Sequence, residues 1–459
     1  MLLPSYWSEQ VSRLQRGELT ALLRMLWAQT HIRWLVAILL VALALRLIWV
    51  VAVQPDPRAD RFDDTIWYNA TARAMADGGG YNNPFFDTPT ARWPVGYPIL
   101  LSLVYRLPGD DVAAARGLNV AASLIAVVAV YYLGQRLWDR RVGLLAAAVL
   151  ALFPGYLFFS TLVMTEIVFT ALAVSVLALA LAWTMSGPAP PRLLVLLGVT
   201  LGVTTLVRPE GMILAGVLTL TWFAVSRSWR RTAVHLALLL VGVAIVLGPW
   251  TARNIIQLRA PVVATTGLGG TLIQGHHADA DGRPSLPIQT ELEAKFADVE
   301  FPEQEVRINN AGIRESISFA VRNPQRELSL IPKRFAYFIR GDRGAIDWVQ
   351  HPDGAILDQQ SAGVATRTLS STTAERLGML ADVYYYVAIG VALAGLPFIL
   401  LRRRPEQLLL LLPVLAYVSI WSVLFVGESR YHIPLLPMLS LAAAVGVVSA
   451  IGWFQQQRD

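Results

Sequence analysis

Apolar residues along the chain gather into long runs, separated mostly by short joints rich in arginine. A helix crossing a hydrocarbon core of about 30 Å needs ~20 mostly apolar residues, because every backbone polar group must be paired within the segment. By that measure the pattern predicts about ten spans. They are Trp34–Val53, Val112–Leu137, Val142–Ser160, Glu166–Thr184, Leu193–Val207, Met212–Val225, Ala233–Trp250, Val383–Leu400, Gln407–Phe425 and Pro434–Ala450. Breaks at Pro154-Gly155 and at Arg208-Pro209-Glu210-Gly211 leave the count between about 9 and 12. The predicted class is an all-α polytopic membrane protein.

Two polar stretches interrupt this rhythm, one from about Gln54 to Asp111 and one from about Thr251 to Ala381. Arg13, Arg16, Arg24 and Arg33 precede the first span. Arg136, Arg140 and Arg141, then Arg227, Arg230 and Arg231, then Arg402, Arg403 and Arg404 fall on the same side by parity. Arginine in short joints marks the cytoplasmic face, so both termini are expected there and the two long stretches on the opposite side. The first run carries no small-residue cleavage site and reads as an anchor. The resulting division is 1–33, a surface-lying amphipathic segment; 34–250, a membrane module with a first outer loop at 54–111; 251–381, a mixed polar outer region; and 382–459, the last three spans with a short tail.

Composition narrows the class further. With 55% hydrophobic and 15% charged residues in 459, an ordinary soluble enzyme and a disordered chain are both excluded. The absence of Cys removes disulfides and thiolate metal sites. The net charge of +6 sits largely in the joints, so nucleic acid is not the expected partner.

The strongest local signal is Arg61-Phe62-Asp63-Asp64-Thr65-Ile66-Trp67-Tyr68, just past the first span. Adjacent carboxylates beside aromatic rings can supply a general base; equally, an Asp there can cap the helix that follows. Glu166 opens a span, where an acid is either functional or a favourable charge at a helix N-terminus. His276 and His277 stand near Asp279 and Asp281, a spacing that can be drawn as a metal site, but no second ligand cluster accompanies it.

Several motifs recur in a fixed order: Asp64-x-x-Trp67-Tyr68, Gly79-Gly80-Tyr81, Trp93-Pro94-Val95-Gly96-Tyr97-Pro98, Arg116-Gly117-Leu118-Asn119 and Thr165-Glu166. Arg208-Pro209-Glu210-Gly211, Gly248-Pro249-Trp250-Thr251-Ala252-Arg253-Asn254 and Gly427-Glu428-Ser429-Arg430-Tyr431-His432-Ile433-Pro434 complete the series. Together they resemble the GT-C membrane glycosyltransferases, the superfamily of protein O-mannosyltransferase-like and aminoarabinose transferases, from about Trp34 to Ala450. One departure is Pro94-Val95, where that superfamily usually has Pro-Pro.

The resemblance implies an inverting transfer of a sugar from a polyprenyl-phosphate donor to a hydroxyl of a protein, glycolipid or polysaccharide acceptor, at the outer side of the cell membrane. Asp64 would be the base, with Asp63 as its understudy, and Glu166 a second active-site acid. If a divalent cation such as Mg or Mn takes part, Asp64 and Glu166 are its candidate ligands. A phosphate-bearing lipid calls for guanidinium forks, for which Arg208, Arg430, Arg253 and Arg116 are the candidates. Snorkelling cations or structural ion pairs with Glu210 and Glu428 are the competing reading. Tyr68, Trp93, Tyr97, His276, His277, Glu210, Glu428 and Tyr431 are expected around the substrate pocket. A transporter or flippase of lipid-linked sugar is the alternative function. It would place coupling residues at the bilayer midplane in repeated halves, whereas here the acids gather at the outer ends of spans.

Overall fold

The computed structural model describes residues 29–54, 64–109, 111–185, 189–350, 369–402 and 404–456. Asp63 and most of the expected segment 1–33 lie outside the described residues. In chain order the helices are α1 (Thr30–Ala52), α2 (Asp64–Ala76), α3 (Gly96–Tyr105), α4 (Asp111–Leu137), α5 (Arg140–Ala151), α6 (Pro154–Phe158), α7 (Glu166–Thr184), α8 (Pro191–Val207) and α9 (Ile213–Ser226). They continue as α10 (Trp229–Leu258), α11 (Leu268–Ile273), α12 (Leu286–Ala294), α13 (Glu303–Arg322), α14 (Pro324–Phe338), α15 (Gly344–Gln350), α16 (Ser371–Arg402), α17 (Leu408–Ser419) and α18 (Leu436–Gln456). Among the described residues there is no β-strand; an isolated bridge joins Asn82 to Pro89.

Among the described residues eight helices are long and apolar enough to cross a membrane, and α5 with α6, bent by 57° at their junction, make a ninth if counted as one span. The protein is a multi-pass membrane protein. The predicted Leu193–Val207 span appears as α8, 17 residues long, and the predicted Ala233–Trp250 span lengthens into the 30 residues of α10. The expected breaks occur for the expected reasons. Pro154 cannot donate to the preceding turn, so α5 stops and α6 starts afresh. Arg208, preceding Pro209, is driven to an extended backbone (φ −148°, ψ 126°), which swings its side chain off the end of α8.

A break in a buried helix leaves carbonyls without partners, and the first span supplies donors for them. Arg46, fully buried, donates from Nη1 to Ala151 O at 3.0 Å, and Trp49 Nε1 donates to Phe158 O at 3.1 Å. Arg46→Leu should therefore destabilise the protein by about 1–3 kcal/mol, the cost of orphaning a buried carbonyl. Thermal unfolding in detergent would measure it, and an unchanged midpoint would mean that the carbonyl finds another donor.

Close backbone contact brings the first loop onto the bundle. A Cβ at Gly96 would lie 2.5 Å from the backbone of Leu206 and Val207, so only glycine lets α3 seat against the end of α8, next to Arg208. Over its described part the 251–381 region contains the end of α10, the helices α11 to α15 and the first turns of α16. Glu305 of α13 accepts from Thr90 Oγ1 at 2.6 Å, from Ala91 N at 2.8 Å and from Thr266 Oγ1, tying this region to the loop that carries Trp93.

Candidate active site

Each charged residue at the site is delivered by the end of an element. Asp64 opens α2, Glu166 opens α7, Arg208 follows α8, and Glu210 lies in the 3-10 turn Pro209–Met212. Glu428 precedes, and Arg430 and Tyr431 lie within, the 3-10 turn Ser429–Leu435, which joins α17 to α18 after the π-helical turn Ile420–Leu424. Helix ends at one face of a bundle leave polar backbone and charged side chains facing a common space.

Two arginines organise the carboxylates. Arg430 Nη1 bonds Asp64 Oδ2 at 2.9 Å, and its Nε lies 3.1 Å from Glu428 Oε1. Trp93 Nε1 donates to Asp64 Oδ1 at 3.0 Å, so both oxygens of Asp64 meet side chains from distant elements. Arg208 Nη1 bonds Glu166 Oε1 at 3.1 Å, and Nε bonds Glu210 Oε1 at 2.8 Å. The two halves meet at Tyr431: its ring lies 5.1 Å from the Arg430 guanidinium and 5.8 Å from that of Arg208, and it stacks on Trp421 at 3.7 Å. Glu166 is 2% exposed, and its Oε2 is buried without a hydrogen bond. Four carboxylates against two guanidiniums leave the cluster with a formal charge of −2.

Tyr68 sits against this cluster. Burial first, then the Asp64 and Glu166 carboxylates, push its phenol well above the ordinary value, so it stays a neutral O–H. Its ring meets Tyr97 edge-on at 5.4 Å. Tyr97 itself is wholly buried and donates to Asn119 Oδ1 at 3.2 Å, so it stands one layer behind the expected pocket position and locks α3 to α4.

Asp64, Glu166, Arg208, Arg430, Glu210, Glu428, Tyr68, Trp93 and Tyr431 are thus brought together. Others are placed elsewhere. Arg253 donates to Thr90 O at 2.8 Å, Tyr81 O at 2.7 Å and Asn254 Oδ1 at 2.9 Å, all of them groups that shape the first loop and its neighbour rather than the acid cluster. Arg116 Nε donates to Thr161 O at 3.3 Å. His276 turns one ring nitrogen to Leu424 O at 2.9 Å and the other to Glu327 Oε1 at 3.1 Å, while Nε2 of His277 is buried without a bond. Asp64 and Glu166, the candidate metal ligands, are each bonded to a guanidinium, and among the described residues no three His, Cys, Asp or Glu side chains converge as a metal cage. The acids of the site are held by arginines, with a formal −2 left over and Glu166 Oε2 unbonded.

Phe169, Ala173, Val174, Leu177, Ile213 and Leu214 line a narrow cleft between α7, α9, α17 and α18, with Pro413, Tyr417, Pro434, Leu435 and Met438 on its far side. Glu210, the partner of Arg208, also lines it, so this small apolar cleft within the bundle borders the charged cluster.

The comparisons with known proteins fall on this same architecture. The archaeal oligosaccharyltransferase AglB of Archaeoglobus fulgidus, solved in complex with an inhibitory peptide and a dolichol-phosphate, superposes with a TM-score of 0.52 at 15% identity, over 93% of this chain and 51% of that one. The protein has the GT-C fold. The same AglB, tethered through a disulfide to an acceptor peptide containing the NVT sequon, gives 0.53 at 16% identity over 93% and 50%. ArnT from Cupriavidus metallidurans, bound to undecaprenyl phosphate, gives 0.42 at 16% identity over 90% and 77%. Residues 92–251 match the family of dolichyl-phosphate-mannose-protein mannosyltransferases. No curated protein matches the sequence. The chain spans about half the length of the AglB chains it resembles.

Sequence reasoning missed four contributors to this candidate site. Trp348 of α15 lies over Arg430 at 4.6 Å, Trp421 stacks on Tyr431, Glu305 anchors the Trp93 loop, and Thr165 Oγ1 accepts from Arg208 Nη1 at 3.4 Å. Only Thr165 carried a signal, its place beside Glu166; the others sit in stretches without a distinctive spacing.

Proposed function

We propose that the protein is a membrane glycosyltransferase that moves a sugar from a polyprenyl-phosphate donor to an acceptor hydroxyl, with inversion. The observation that carries this reading is the convergence of the Asp64–Arg430 and Glu166–Arg208–Glu210 pairs at one site, bordered by an apolar cleft that Glu210 lines. The apolar lining suits contact with an isoprenoid chain, whose phosphate would lie by Arg208, with Arg430 on the other side of the Tyr431 ring. Asp64, whose side chain is 27% exposed, takes the proton of the acceptor hydroxyl. That oxygen bonds to the anomeric carbon as the bond from this carbon to the phosphate oxygen breaks, and polyprenyl phosphate leaves. Positive charge develops on the sugar ring in such a transition state, and a cluster carrying a formal −2 stabilises it. No step is routed through a metal.

The acid cluster lies at the helix ends opposite the arginine-rich joints at Arg136, Arg140, Arg141, Arg227, Arg230, Arg231, Arg402 and Arg404. By the bias of such joints to the cytoplasm, the reaction faces the outer side, with both termini cytoplasmic. The deciding experiment supplies purified protein in liposomes with a radiolabelled polyprenyl-phosphate sugar and a lysate of candidate acceptors. Label appearing on an acceptor is expected. Label that crosses the bilayer still attached to lipid, with no acceptor labelled, would make the protein a flippase instead.

A further inference from the structure

Only Phe425 to Glu428 separate the turn that bears Arg430 from the π-helical turn Ile420–Leu424, and the last carbonyls of any helix lack partners within it. Here two cation-capable side chains take them. Arg334 Nη1 donates to Val423 O at 3.0 Å, and His276 Nε2 meets Leu424 O at 2.9 Å. One carboxylate joins the pair from behind: Glu327 Oε2 accepts from Arg334 Nη2 at 2.9 Å, and Glu327 Oε1 lies 3.1 Å from His276 Nδ1. Arg334 is wholly buried and also donates to Gly275 O at 2.7 Å. None of these hydrogen bonds or ion pairs reaches Asp64, Glu166 or Arg208, so the arrangement touches the site through the backbone alone.

A second tie fixes the other end of the same turn. His432, two residues past Arg430, places Nδ1 2.9 Å from Phe338 O and Nε2 3.2 Å from Asp342 Oδ1, and stacks on Tyr385. Helix α14, which supplies Glu327, Arg334 and Phe338, is therefore a brace bonded on both sides of Arg430. Between the ties, Gly427 N donates to Gly282 O at 2.8 Å. Two backbone ends held at both sides leave Arg430 little freedom, which is what a side chain orienting a base needs.

We propose that Glu327, acting through His276 and Arg334, is a positioning residue for Arg430. This rests on the reading in which Arg430 orients Asp64 for glycosyl transfer. A carboxylate that only glued the loop region together would affect the amount of folded protein and nothing else; a positioning group also sets the geometry of the turn.

The two are separated by comparing Glu327→Ala with the isosteric Glu327→Gln, which keeps the side-chain volume and one oxygen to accept from Arg334, and turns an amide N–H toward His276. Glu327→Ala is expected to lower kcat by about tenfold per mole of folded protein with the acceptor KM unchanged, and Glu327→Gln to recover most of it. Because the protein has no native Cys, a nitroxide on Leu424→Cys, an exposed side chain on the capped residue, reports the turn directly. It should gain mobility in Glu327→Ala and not in Glu327→Gln. His276→Ala, which leaves the Glu327–Arg334 pair intact, gives a milder change in the same direction if Glu327→Ala does not fold. Wild-type kcat together with an unchanged label spectrum in the alanine variants overturns the proposal. So does a Glu327→Gln variant as slow as Glu327→Ala with an immobile turn. Should the wild-type protein transfer no sugar from any donor, the glycosyltransferase reading fails, while the label still decides whether Glu327 holds the turn.

Discussion

Asp64→Asn is expected to abolish most sugar transfer, lowering the rate by about 10²–10⁴-fold, the usual contribution of a positioned general base. The substitution keeps the side-chain volume, and an amide oxygen can still accept from Arg430 or Trp93, the two partners of the carboxylate. Folding should therefore persist and the loss should fall on turnover. The measurement is transfer from a labelled polyprenyl-phosphate sugar, normalised to folded protein. The competing role for Asp64, a cap on α2, predicts a different result: about 1 kcal/mol of lost stability at most, with turnover intact. A wild-type rate in Asp64→Asn would remove it as the base.

Arg208→Ala carries the second large effect. Its guanidinium is shared by Glu166 and Glu210, whose side chains are 3% and 15% exposed, so truncation leaves two nearly buried carboxylates unpaired. Breaking a buried pair from one side costs about 3–5 kcal/mol, because a charge remains without compensation. If Arg208 also receives the donor phosphate, donor binding should weaken more than acceptor specificity changes. Arg208→Lys keeps the charge and loses the fork, so it should recover much of the stability and less of the donor affinity. Unfolding midpoints and the apparent donor KM give the two numbers separately. Lost stability with unchanged donor affinity would make Arg208 a structural ion pair and nothing more.

The residues that converge at the cluster were readable to different depths. Asp64 was distinguishable from Asp63 only by matching a motif, since two neighbouring carboxylates look alike to any local rule. Arg208 was legible because Pro209 forces the residue before it out of the helix, a local steric effect. Arg253 and Arg208 both stood near the end of a span in sequence, where Arg208 was the stronger candidate for a phosphate. Their difference lies in what stands opposite: loop carbonyls for Arg253, Glu166 and Glu210 for Arg208. His276 was read as shaping a pocket, and it instead engages Leu424 O and Glu327. Those partners lie 148 and 51 residues away, beyond the reach of any spacing argument.

The sequence by itself determined the membrane class, the positions of the spans and the places where they break. Those follow from the length of apolar runs and from proline's missing donor, properties that act within a few residues. Only the tertiary structure decided which acid meets which arginine. Asp64 and Arg430 stand 366 positions apart, and the ion pair between them exists because α2, the Ser429–Leu435 turn and the brace of α14 converge at one end of the bundle. Electrostatic pairing depends on separations of a few ångströms in space, and distance along the chain does not encode it.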